Sequence, residues 1–152
     1  MNEPTERALP RRPRSVSAIA IINGIAFVST LLFWGTVYVK NLVPLPDSLT
    51  DAAERANAAT TYGFLIGDML WSAPLLFLAT IGLWRRQFWG WTAAQMVNAL
   101  WVYSMTIIWM RDSYSAVSPG ALLFTPFTAV AIWATYYLWK HRDLFSIAGQ
   151  SR

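Results

Sequence analysis

Residues 60–87, TTYGFLIGDMLWSAPLLFLATIGLWRRQ, decide the fold. Thr60 to Leu83 supply the roughly 20 apolar residues that a helix needs to cross the ~30 Å hydrocarbon core of a bilayer. Asp68 is the only ionisable side chain in that run. The basic elbow at residues 84–87 is long enough only for a turn between antiparallel neighbours. A second apolar run, Phe88 to Met110, follows at once. Together the two runs predict a membrane-embedded helical hairpin.

Both ends of the chain extend this pattern. Residues 17–39 and 121–139 are further apolar runs of spanning length. The expectation is an all-α polytopic membrane protein, a four-transmembrane-helix bundle over residues 15–142 with spans at about 17–39, 60–83, 88–110 and 121–139. Composition agrees, with 55% hydrophobic and 13% charged residues against about 25% charged in soluble domains. Arg11, Arg12 and Arg14 precede the first run as a signal peptide's charges would. That run exceeds the roughly 7–15 residue core of a signal peptide, however, and no small-x-small site follows it. A retained first helix with a flanking anchor is expected.

Basic residues set the orientation. Arg7, Arg11, Arg12, Arg14, Arg85, Arg86, Lys140, Arg142 and Arg152 fall on one side. Lys40, Arg55 and Arg111 fall on the other, among Asp47, Asp51, Glu54 and Asp112. The expected placement is a cell membrane with both termini cytoplasmic. The net charge of +4 is spread over the ends of the apolar runs, so the lipid bilayer is the expected partner and nucleic acid is not. With no cysteine, disulfides and thiolate chemistry are excluded.

Residues 1–14 carry prolines and mixed charge and are expected to be a disordered basic tail; residues 143–152 form a cytoplasmic tail. The outer loop 41–59 begins with Pro44-Leu45-Pro46. Ser48 or Thr50 is expected to cap a short surface helix with an Asp51–Arg55 pair. Gly63 and Gly67 form a GxxxG that allows close helix approach inside the bundle. Pro74 is expected to bend the second span and free the carbonyl of Leu70.

The two halves also resemble one another. Asn23, Ser29 and Trp34 match Asn98, Ser104 and Trp109 under one constant shift. Ala79-Thr80…Leu83-Trp84-Arg85 matches Ala134-Thr135…Leu138-Trp139-Lys140. Such a pattern fits a duplicated helical hairpin, related by an axis along the membrane normal.

At a rise of about 1.5 Å per residue, Asp68 lies about 12 Å below the outer end of its span. Asn98 lies about 15 Å above the inner end of the next. Thr30 and Thr128 approach the same level, making a polar middle layer. An intramembrane carboxylate is a functional candidate by default. Asp68 is expected to bond to Asn98 or a threonine, or to face a ligand, with Trp71 and Trp101 as aromatic walls for a lipophilic or cationic molecule. No metal cluster, nucleotide loop or nucleophile–base set is present, so no cofactor and no catalytic residue is expected.

The stretch Asp68-x5-Pro74-Leu75-Leu76 resembles the EXPERA-type four-helix proteins, the sigma-2 receptor group, as do the helix order and the proline-containing first outer loop. The resemblance implies a sterol-isomerase-related bundle with cytoplasmic termini and a lipid-like or cationic ligand beside Asp68. Late in the first helix, where that family carries an acid, this sequence has Trp34-Gly35-Thr36. Three functions are consistent with the residues. The first is a non-catalytic protein that binds a lipophilic ligand or serves as accessory subunit of a larger complex. The others are a proton- or cation-coupled transporter working as a homodimer, and a lipid-modifying, isomerase-like enzyme.

Overall fold

A computed structural model describes residues 13–114 and 120–146. Most of the amino-terminal tail, including Arg7, Arg11 and Arg12, and the end of the carboxy-terminal tail with Arg152 lie outside the described residues. The described chain is mostly helical: α1 (Arg14–Val39), α2 (Ala52–Gly67), α3 (Ala73–Trp84), α4 (Phe88–Tyr114), α5 (Gly120–Lys140) and the short α6 (Asp143–Ser146). A π-helical turn, Asp68–Ser72, joins α2 to α3 into one continuous rod.

Three helical units are long and apolar enough to cross a membrane: α1, the rod from Ala52 to Trp84, and α5 from Ala121. The chain is accordingly an α-helical protein of membrane type. The unit α4 has the length, but its Trp, Tyr, Gln95 and Asn98 dilute its apolar character. Large apolar side chains such as Leu32, Phe33, Leu122 and Phe127 point outward, as lipid-facing surfaces require.

Local chemistry explains the boundaries. Pro13 precedes α1 and lacks the N–H that a helix start would leave unpaired. Asn41 ends α1 in the left-handed region at φ 48°, which Asn tolerates better than most residues. The start of α2 corrects the expected outer loop 41–59. The cap is Asp51, not Ser48 or Thr50, and its carboxylate accepts from the N–H groups of Ala53 and Glu54, both at 2.9 Å. Residues 52–59 are therefore the first turns of the long rod rather than a separate surface helix. Ser48 instead donates to the Leu45 carbonyl, and the Arg55 guanidinium bonds the Leu49 carbonyl rather than Asp51.

The helices pack in chain order, α1 on α3, α3 on α4 and α4 on α5. Packing of α5 on α1 is not among the main helix contacts, so the expected four-helix bundle is arranged as a row of neighbours. One buried cluster spans all of them at the end holding the 85–87 elbow. Its members match between the halves. Val16 and Ile19 of α1 answer to Trp91 and Ala94 of α4, and Ala79 and Leu83 of α3 to Ala134 and Leu138 of α5.

A close contact of two helix backbones was not expected. A Cβ added to Gly82 would overlap the Gly90 Cα, and one on Gly90 would overlap the Gly82 backbone. The α3 and α4 backbones touch there. Gly63 and Gly67, by contrast, have open space where a Cβ would stand. Their GxxxG makes no close approach among the described residues.

Candidate functional site

Asp68 opens the π turn. Because Pro74 has no N–H, the regular i→i+4 ladder cannot continue to it; the Ala73 N–H reaches back five residues to the Asp68 carbonyl instead. The expected bend is thus absorbed as a widened turn. Widening places more than four residues on that turn, bringing Ser72 rather than Trp71 above Asp68. Ser72 donates to Asp68 Oδ1 at 2.9 Å. Trp71 swings outward and is 64% exposed, so it forms no wall beside the carboxylate.

The second partner comes from α1. Trp34 is buried, and its indole N–H donates to Asp68 Oδ2 at 2.8 Å. Both carboxylate oxygens are occupied without a basic residue. This corrects the expectation that Asn98 is the neighbour of Asp68. Trp34 had the sequence position of an interfacial belt residue; its constant shift to Trp109, which bridges its own hairpin in the same way, was the signal for its inward role.

The remaining polar residues of the middle layer fall elsewhere. Thr30 is half-buried on α1, outside the hydrogen bonds of Asp68. Trp101 and Thr128 face each other between α4 and α5, the indole N–H donating to Thr128 Oγ1 at 3.2 Å. They are rungs of a longer seam. Trp91 donates to the Leu138 carbonyl at 2.9 Å, Gln95 to the Thr135 carbonyl at 3.2 Å, and Trp109 to Thr125 Oγ1 at 3.1 Å. The expected single layer is therefore two assemblies, a carboxylate latch between α1 and the π turn and a ladder between α4 and α5.

Asn98 belongs to the ladder but fills no rung. It is 8% exposed, and among the described residues its Nδ2 is the one buried side-chain nitrogen or oxygen with no hydrogen-bond partner. It lines a groove of about 630 Å³ between α4 and α5, with Ala99, Val102, Tyr103, Ile132, Thr135, Tyr136 and Trp139. No charged side chain lines that groove. Among the described residues no group of His, Asp and Glu could hold a metal ion.

No family model, curated protein or solved structure matches the chain.

Proposed function

We propose that the chain is a four-span membrane protein with both termini cytoplasmic, which binds a lipophilic molecule without transforming it, alone or as a small subunit of a larger complex. The first turn of α1 and the end of α5 share one buried cluster with Leu83, beside the basic elbow, which supports a common side for both termini. The length of α4 supports a fourth span.

The observation that carries the binding reading is the α4–α5 groove, apolar and aromatic with one unmet polar group. Ligand pockets have that composition. Asp68 is engaged on both oxygens by Trp34 and Ser72, which supports a role in holding helices together. Where the EXPERA-type proteins carry a second acid, Trp34 acts as a hydrogen-bond donor instead, which favours no isomerase chemistry.

Purification in mild detergent followed by native mass spectrometry tests the proposal. A stoichiometric lipophile should accompany the chain. Recovery of the folded chain free of any such molecule, from membranes that contain their native lipids, would remove the reading.

A second reading is favoured by one observation. Asp68 sits in a π turn, and such turns are frequent at functional sites. In a homodimeric, proton-coupled transporter, the reconstituted protein would release protons on substrate addition and Asp68→Asn would abolish the release. Transport unaffected by Asp68→Asn leaves the carboxylate a latch.

A further inference from the structure

The carboxy-terminal hairpin leaves open two polar groups that the amino-terminal hairpin closes on itself. Asn23 donates to the Ile19 carbonyl at 2.8 Å, and Thr80 to the Leu76 carbonyl at 2.7 Å. Asn98 and Thr135 hold the matching positions and make neither bond. The Asn98 Nδ2 is buried without an acceptor, and the Thr135 hydroxyl makes no hydrogen bond among the described residues. Buried amides are almost always satisfied, and both side chains line the same groove.

We infer that the groove binds a neutral, lipid-soluble ring carbonyl compound of the quinone or cyclic ketone class, whose oxygen accepts from the Asn98 amide with the Thr135 hydroxyl as second donor. The inference rests on the lipophile-binding reading above and adds the ligand's class. Neutrality follows from walls with no charged side chain, and a flat ring from Tyr103, Tyr136 and Trp139. A half-turn of the Asn98 amide exchanges nitrogen and oxygen in nearly the same envelope, which turns the N–H groups toward the groove.

Depth selects the source of the carbonyl. Asn98 stands about 15 Å along α4 from Phe88, near the middle of a ~30 Å core. Glycerolipid ester carbonyls stay at the interface, whereas a hydrophobic ring carbonyl can sit that deep.

The test uses the full chain in nanodiscs of ether-linked lipids, which carry no ester carbonyls, titrated with a decyl-substituted benzoquinone. Saturable quenching of tryptophan fluorescence reports binding. Asn98→Leu should weaken binding about tenfold or more, the equivalent of one ~1.4 kcal/mol interaction. Thr135→Val should weaken it a few-fold, and Thr80→Val, at the matched position of the other hairpin, should leave it unchanged. Asn98→Leu should also raise the melting temperature of the empty protein, because the unpartnered amide is gone; a group that merely supports the fold would lower it.

Wild-type affinity in both the Asn98→Leu and the Thr135→Val proteins overturns the site. So does a wild type that fails to saturate with the benzoquinone while still carrying a native lipophile through purification, an outcome that spares the general reading. Loss of binding on changing to ester-linked lipids assigns the groove to the bilayer's own carbonyls and overturns the proposed class.

Discussion

The hairpin of residues 14–84 and that of residues 88–140 bury the same faces but satisfy their polar groups by different means. Ile19 and Asn23 are buried on α1 where Ala94 and Asn98 are buried on α4, and Ala79 and Leu83 correspond to Ala134 and Leu138. The first hairpin closes Asn23 and Thr80 on their own helix and crosses between helices through one carboxyl group, Asp68 accepting from Trp34. The second crosses four times with uncharged rungs and once through Asp112, which accepts from the Ala121 N–H, and leaves Asn98 open. The two hairpins thus share buried positions and differ in polar chemistry. The groove stands beside the group left unpaired.

The joint between the hairpins offers the largest test. A methyl group on Gly82 or Gly90 would overlap the facing backbone, and a backbone cannot rotate aside as a side chain can. Gly82→Ala and Gly90→Ala should each cost about 3 kcal/mol, at the upper end of overpacking penalties. Thermal unfolding in detergent measures this. Gly63→Ala and Gly67→Ala should be neutral or stabilising by up to about 1 kcal/mol, from helix propensity alone. Equal losses at all four positions would mean that the hairpins do not meet at the elbow.

The bridging tryptophans give the next effect. Asp68→Leu strands the Trp34 indole and the Ser72 hydroxyl and should cost about 2 kcal/mol. A double-mutant cycle of Trp34→Phe with Asp68→Leu should give a coupling of about 1.5 kcal/mol, near the top of the range for membrane hydrogen bonds. The cycle of Trp109→Phe with Thr125→Val should give about 0.6 kcal/mol, the average for such bonds. Asp68→Asn keeps an acceptor for Trp34 and should fold normally. Couplings of equal size would show that the carboxylate adds nothing to the amino-terminal hairpin.

How far the sequence could be read depended on the range of the forces involved. Helix identity and approximate extent follow from local apolarity, so the rod around Thr60–Leu83 and its turn at Arg85-Arg86 were legible. The Pro74 disturbance was legible too. Its form was not, because a bend and a π turn both accommodate the missing N–H of a proline. The GxxxG at Gly63 and Gly67 describes one helix and cannot say whether a partner is there. Gly82 and Gly90, flanking a tight elbow, carried the better signal, since two helices leaving one short turn are closest beside it. Asn98 was legible as a buried polar residue, but its solitude depends on α5 presenting no acceptor opposite it, which is set by tertiary register.

The smallest expected effect concerns how each hairpin starts its second helix. Asp51 caps α2 from the adjacent position. Asp112 on α4 reaches the start of α5: its Oδ2 accepts from the Ala121 N–H at 2.8 Å while Oδ1 takes the Arg111 guanidinium at 3.0 Å. The Ala121 N–H, opposed by burial and assisted by Arg111, holds the Asp112 carboxyl below its ordinary value. A lowered folded-state pKa means that the native state binds the proton less readily than the unfolded chain. The contribution is then complete above the ordinary carboxylate value of about 3.9 and is lost as pH falls through the lower folded value. The melting temperature of the wild type should fall more steeply than that of Asp112→Asn below about pH 4. Near neutrality the variant should melt only about 2 °C lower. Parallel acid curves for the two proteins would show that α5 does not draw its cap from α4, and that both hairpins begin their second helix by local means.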